Sequence, residues 1–406
     1  MKKSKLRDHL FLLTLLYPLY LTLGLLRALR ILPRKYVIFG GRWGTKFSDN
    51  TKYLYLQSRA DPSAVWITYD RRLVRELRQN GLEARHALSP QGIATLLQAR
   101  IFLLSYSTFD LSPVFMLGVP VIQLWHGIGF KRIGLEADDW EARGLAGRIK
   151  NTLRKTTFRA FPHLNYMYCD HLSSLGDPEH LLRAFGLRKN QVLELGFPRL
   201  LVFDNNFWQE NRALLCNQEL EHLEEQRKSG KRIVVYMPTY RNRSSEDASS
   251  ERIKMLDKVA RHNNITLVFK AHHLDIDDGI PDSVSIYRHE DPYPLLRLAD
   301  ALITDYSSVM MDFLVTDRPI ILFAYDLASY AQNEAGFNND FVAFAPGTLT
   351  RTAEETEQAL LAELAQPHSS IEKRNICKEF FGLQGFNSSN CCRTDGFREL
   401  FQVSSR

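Results

Sequence analysis

Cysteine is scarce: five residues, Cys169, Cys216, Cys377, Cys391 and Cys392, odd in number and scattered. They fit neither a zinc spacing nor a disulfide framework, which points to a reducing, cytoplasmic setting. No nucleophile elbow and no strong carboxylate pair stands out, so the common hydrolase constellations are not expected. No repeat period or long low-complexity tract appears, which excludes a repeat array. A run long enough for a simple membrane span is also missing. Residues 10–26, LFLLTLLYPLYLTLGLL, are uncharged and apolar but carry Pro18 and Gly24, and a spanning helix wants about 20 apolar residues.

That stretch is flanked by Lys2, Lys3, Lys5 and Arg7 before it and by Arg27, Arg30, Arg34 and Lys35 after it. The following Arg-Ala-Leu-Arg is no cleavage site for a signal peptide. Positive charge on both sides disfavours crossing. The expectation is a membrane-associating helix within 1–34, lying in the cytoplasmic face of the inner membrane with its cations on anionic lipid. A helix packed on the protein's own core and a true transmembrane anchor are the alternatives.

What is present describes an ordinary globular chain: 406 residues, 45% hydrophobic and 24% charged. That length favours two domains. The net charge of +6 suits an anionic partner, a phosphorylated substrate or an acidic membrane, or simple solubility. No nucleic-acid partner is expected.

From residue 36 short apolar runs alternate with amphipathic segments. The runs are YVIFGG (36–41), AVWITYD (64–70), RIFLLSY (100–106), PVIQLWHG (120–127), NYMYCD (165–170) and QVLELGFPR (191–199). RRLVRELRQNG (71–81) reads as a helix stopped by Gly81. A polar helical stretch at about 205–230 intervenes. The alternation resumes with RIVVYMPTY (232–240), NITLVFKAHH (264–273), VSIYR (284–288), ALITDYSS (301–308) and PIILFAYD (319–326). The serine-rich 241–252 reads as a mobile loop. Such alternation predicts α/β architecture with parallel sheets. Two series predict two Rossmann-like domains facing a cleft, 35–204 and 205–385, then a tail or helix at 386–406.

Ligands bind at the carboxyl ends of strands in such sheets. Those ends carry His126, Gly127 and Lys131; Arg199; Thr239 and Arg241; Lys270, His272 and His273; and Ser307 and Ser308. Imidazoles, cations and hydroxyls together suit a phosphate or diphosphate and the movement of one proton. Each has a plainer reading. His126 could bond a loop carbonyl, KAHH could be surface polarity, and the serines could cap a helix. Asp312 could favour a helix dipole or address ribose hydroxyls. Asp275-Ile276-Asp277 reads as a solvated acidic turn, so no metal and no cofactor is expected. Convergence of five strand ends favours a site.

WHGIGFKRIG (125–134), LELGFPR (193–199), YMPTYR (236–241), FKAHH (269–273) and ITDYSSVMMDFLVTDRPIILFAYDL (303–327) resemble the signature blocks of the CDP-glycerol glycerophosphotransferases. These enzymes build teichoic acids and related phosphate-linked polymers. The resemblance implies a GT-B fold, peripheral membrane attachment and no required metal. It implies His126 as general base, His272 at the donor diphosphate, and Ser307 and Ser308 on the phosphates. Departures occur at Ile128-Gly129-Phe130, at Tyr240 and Asn242, at Leu200-Leu201, and in the closing GFNSSNCCRTDGFRELF. They touch the choice of acceptor and polyol.

The expected function is transfer of a polyol phosphate, glycerol before ribitol, from a CDP-polyol donor to a hydroxyl of a lipid-linked or membrane-held acceptor, releasing CMP. A transferase using another nucleotide sugar and a non-catalytic envelope-assembly scaffold are the rivals.

Overall fold

The computed structural model describes residues 16–127, 133–136, 144, 147–149, 152, 156, 158, 161–175, 178–239, 246–270, 279–327, 330, 341–367, 369–385 and 392–403. Long β-branched runs such as RIVVY, ITLVF and IILF are buried along almost their whole length, as strands covered on both faces require. They form two separate sheets, and every pair is parallel.

The first sheet holds β1 (Tyr36–Phe39), β2 (Ala64–Thr68), β3 (Ala84–His86), β4 (Ala99–Leu104), β5 (Val121–Gln123), β6 (His171–Ser173) and β7 (Val192–Leu193). Its order is β3-β2-β1-β4-β5-β6-β7. The second holds β8 (Arg232–Tyr236), β9 (Ile265–Phe269), β10 (Ser285–Ile286), β11 (Ala301–Thr304), β12 (Ile320–Phe323) and β13 (Thr348–Thr350). Its order is β10-β9-β8-β11-β12-β13. In both, the direction of winding reverses beside the first strand, between β1 and β4 and between β8 and β11. Such a switch point opens a crevice at the strand ends.

Contacts divide the chain into two compact units. The first is 1–126, 133–199 and 392–406; the second is 127–132 and 200–391. The crossing thus falls at Arg199/Leu200, five residues before the expected 204/205. The final segment is not a detached tail. Gly196 bridges Cys392, and Phe397 and Phe401 of the helix Thr394–Val403 are buried. Phe401 meets Phe39 edge-on at 6.2 Å. Each buried phenylalanine is worth about 1.5–3 kcal/mol.

Local signals explain most helices. Asp70 accepts from Arg72 and Leu73 N–H at the start of Arg71–Gln79. Ser89 caps Pro90–Leu97, and Thr352 with Glu355 forms a reciprocal capping box at Ala353–Ala365. The polar stretch near 205–230 is two helices, Asn205–Leu215 and Gln218–Lys228, because Asn217 leaves the first and caps the second at Leu220.

Some expectations change. NYMYCD is not a strand: Asn165 turns the chain through bonds to Met167 and Tyr168, and the strand follows at His171–Ser173. The expected loop 241–252 is helical from Glu246, because Ile253, Leu256 and Ala260 form a stripe that the core buries.

Among the described residues the first helix runs Tyr17–Ala28; residues 1–15 of the expected membrane-associating segment lie outside them. Pro18 sits in its first turn, where a missing N–H costs nothing. The helix lies against its own unit. Tyr20 and Leu23 pack on Val114, and Gly24 approaches so closely that a Cβ would lie 2.3 Å from Leu117 Cδ2. Arg27, expected on lipid, turns inward and donates to the carbonyls of Leu96, Phe115 and Leu117. Burial and nearby Arg34 lower its pKa to about 10. Among the described residues no helix is long and apolar enough to cross a membrane.

Candidate functional site

Functional groups collect separately at the strand ends of each unit. In the first, β5 is followed by Trp125 at φ 53° and then His126. Such a conformation is costly for a non-glycine residue, about 1–3 kcal/mol, and persists only where neighbours impose it. Asn50 does so here. Its Nδ2 donates to the carbonyls of Leu124 and Trp125 at 3.1 and 2.7 Å, and its Oδ1 accepts from Arg199 N–H at 2.9 Å.

His126 is partly buried, stacked on Tyr106 at 4.2 Å with 11° between the rings. Its Nδ1 lies 3.0 Å from the Ser105 carbonyl oxygen. A carbonyl only accepts, so Nδ1 carries the hydrogen and Nε2 keeps its lone pair. Nε2 has no protein partner among the described residues. Burial lowers the pKa of this imidazole, Asp49 and the Ser105 carbonyl oppose that, and Arg199 and Arg42 reinforce it. The outcome is a neutral imidazole with a fixed tautomer.

The loop after β4 is held by Asp110, whose carboxylate accepts four backbone N–H groups, from Trp43, Ser105, Tyr106 and Ser107, at 2.7–3.2 Å. Burial pushes this carboxyl up to about 6 against those donors. Arg199 is buried and pairs with Asp49 at 3.1 Å. It sits behind the imidazole's surroundings.

In the second unit the switch point is tied by Asp305. Its Oδ1 accepts from Thr239 N–H at 2.8 Å, Thr239 Oγ1 at 2.5 Å and Tyr306 N–H at 2.6 Å. The hydroxyl hydrogen of Thr239 is therefore committed to Asp305, and Thr239 acts here as an organiser of the loop. Ser307 and Ser308 differ from ordinary caps. Ser307 Oγ is 3.5 Å from Val309 N–H, a marginal bond, and Ser308 makes no side-chain cap. Among the described residues Ser308 Oγ has no hydrogen-bond partner, although it is partly exposed. The helix they precede, Val309–Phe313, has only five residues, so the hydroxyls rather than a helix dipole are its polar feature. Gly127, grouped with this unit, would place a Cβ 3.2 Å from Ser308 Oγ; the glycine admits that approach.

Lys270 follows β9 and is buried. Asp312 is buried and accepts from Tyr293 Oη at 3.0 Å. Lys131, Arg241, His272, His273 and the acidic turn 275–277 lie outside the described residues. Asp49, Asn50, Ser105, Tyr106 and Asp110 follow strands whose ends are not among the five considered from the sequence. The strand-end argument, applied to the ends of β1 and β4, would have reached them.

The sequence profile of the CDP-Glycerol:Poly(glycerophosphate) glycerophosphotransferase family matches residues 24–391. The chain belongs to this family. Among relatives, the chain is 27% identical over 402 residues to a "Teichoic acid glycerol-phosphate transferase" of Staphylococcus aureus, covering 93% of this chain and 96% of that one. It is 25% identical to a "Teichoic acid ribitol-phosphate primase" of Bacillus spizizenii, covering 92% and 90%. The solved structure of the wall teichoic acid polymerase TagF matches with a TM-score of 0.69 at 21% identity, covering 100% of this chain and 98% of that chain. That likeness carries the fold: α/β with parallel sheets.

Proposed function

We propose that this member of the family transfers a polyol phosphate from a CDP-polyol to a hydroxyl of a membrane-held acceptor, releasing CMP, in synthesis of a cell-envelope polymer. The observation that carries the reading is the His126 tautomer: Nδ1–H spent on Ser105, Nε2 open. An acceptor hydroxyl gives its proton to Nε2 as its oxygen attacks the polyol-bearing phosphorus. The bond from that phosphorus to the bridging diphosphate oxygen breaks, and CMP leaves with the electron pair. Lys270 and the hydroxyls of Ser307 and Ser308 offset charge on the phosphates, with Arg241 and His272 assigned the same task by family resemblance. Positioning and electrostatics supply most of the acceleration. The GT-B arrangement, with both domains working on one donor, belongs to this proposal.

Glycerol is the preferred polyol, following the full-length likeness to the S. aureus glycerol-phosphate transferase. The chain spans 47% of a Bacillus subtilis poly(glycerol phosphate) polymerase but nearly all of the transferase and the primase. Purified protein with membranes should transfer label from CDP-glycerol at least tenfold faster than from CDP-ribitol or from nucleotide sugars. Preference for a nucleotide sugar would overturn the reading.

Peripheral attachment to the cytoplasmic face of the membrane is part of the proposal. Leu19, Leu21 and Leu25 of the first helix, with Leu29 and Ile31 after it, are 44–61% exposed beside Arg30, Arg34 and Lys35. Apolar side chains flanked by cations suit an anionic bilayer surface. Vesicles containing phosphatidylglycerol should bind the protein, and replacing Leu25 and Leu29 by serine should abolish binding without changing the unfolding midpoint. Unchanged vesicle binding would remove this helix from the account.

A further inference from the structure

Three strand-end loops of the first unit converge on one imidazole. The Ser105 carbonyl fixes its Nδ1, and Tyr106 covers its face. Asp49 stands behind them. It adopts φ 62°, which only aspartate, asparagine and glycine enter readily, at the first position of the helix Asp49–Ser58. Its carboxylate is divided among three donors. Oδ2 accepts from Tyr106 Oη at 3.2 Å, and Oδ1 accepts from Arg199 at 3.1 Å and from Asn50 N–H at 2.8 Å. The tyrosine so held is the ring that stacks on His126, and the arginine so held donates its own N–H to Asn50, the clamp on Trp125.

We propose that Asp49 is the positioning residue of the His126 base, setting the plane of the imidazole through Tyr106 and holding a carboxylate beside it. This rests on the reading of His126 as general base. Among the described residues, the charged groups acting on the ring are Asp49, Arg199 and Arg42, with the phenol of Tyr106 and the indole of Trp125 against its faces. Asp49 is the anion among them. Without it, the ring faces two guanidiniums, and its basicity falls when it must accept a proton.

A purely structural Asp49, favouring the helix start, would alter stability and leave the imidazole's titration alone. The test separates these. The full-length protein, labelled with 13C at histidine Cε1, is titrated by NMR as wild type, D49N and Y106F, with H126N assigning the signal. In D49N the His126 midpoint should move to lower pH. In Y106F, which keeps the stack and loses the hydroxyl tie, the signal should broaden or shift while the midpoint moves less. With CDP-glycerol as donor, D49N should lose about tenfold to a hundredfold in kcat, its donor KM staying within about twofold, and the acid limb of its rate profile should follow the NMR midpoint. An unchanged midpoint in folded D49N overturns the proposal, as does unchanged kcat. If H126N retains full turnover while D49N still shifts the ring's titration, the base assignment fails and the electrostatic link stands.

Discussion

Ser307 and Ser308 pose a question at the scale of single residues: a serine before a helix is first of all a cap. Here the caps are nearly absent, since Ser308 Oγ bonds to nothing among the described residues and Ser307 Oγ only grazes Val309 N–H. A hydroxyl the fold does not use can be removed at little cost to the fold. Ser308→Ala should therefore leave the unfolding free energy within about 0.5 kcal/mol. It should also raise the donor KM or lower kcat by roughly tenfold, the loss of one hydrogen bond to a charged group. A stability loss above about 1 kcal/mol with normal kinetics would return Ser308 to capping. The serine pair was visible in the sequence, whereas its lack of caps depends on backbone geometry that no residue order displays. The same holds for His126. Its place after an apolar run is legible, but its tautomer is set by a carbonyl 21 positions away in the chain.

At the scale of elements, strands were the most readable feature, because parallel strands buried on both faces must be continuous apolar runs. The three-residue strands β3 and β13 escape that rule: Ala84–His86 and Thr348–Thr350 hold too few apolar residues to stand out. The N-terminal helix was legible as apolar but not as docked. Its docking depends on Gly24, on the inward-turned Arg27 and on a second polar joint at Tyr20. Tyr20 Oη donates to His163 Nδ1 at 2.5 Å, and His163 packs on Tyr168, whose hydroxyl bonds Asp170. Burial lowers His163 to about 4, with Asp170 opposing and Arg27 reinforcing, and burial first raises Tyr20 to about 12. Both stay neutral at pH 7, the state this bond needs. The folded value lies below the unfolded value of about 6.5. Between them the unfolded chain binds a proton that the folded chain refuses. This contribution to stability is whole above about 6.5, falls by up to about 1.4 kcal/mol per pH unit on acidification, and levels off near 4. Urea midpoints across pH 7 to 5 should fall less steeply for His163→Gln than for wild type. Parallel slopes would show that His163 does not titrate in this way.

For the whole molecule, two parallel sheets wound in the same order place an imidazole at the strand ends of one unit and two serine hydroxyls with a lysine at those of the other. Within the second unit, Gly127 approaches Ser308. The alternation of runs made two domains legible, but not the return of the final helix to the first one. Phe397 and Phe401 are the residues that anchor it, and two phenylalanines in a short closing helix name no partner by themselves. The reaction is defined by which bond breaks. Attack at the polyol-bearing phosphorus liberates CMP, whereas attack at carbon, as in sugar transfer, liberates CDP. With CDP-glycerol and membranes, the purified full-length protein should release CMP in step with incorporated glycerol phosphate. His126→Ala should lower that rate about a hundredfold to ten-thousandfold. Release of CDP instead, or CMP release unaffected by loss of His126, would contradict attack at phosphorus with His126 as base.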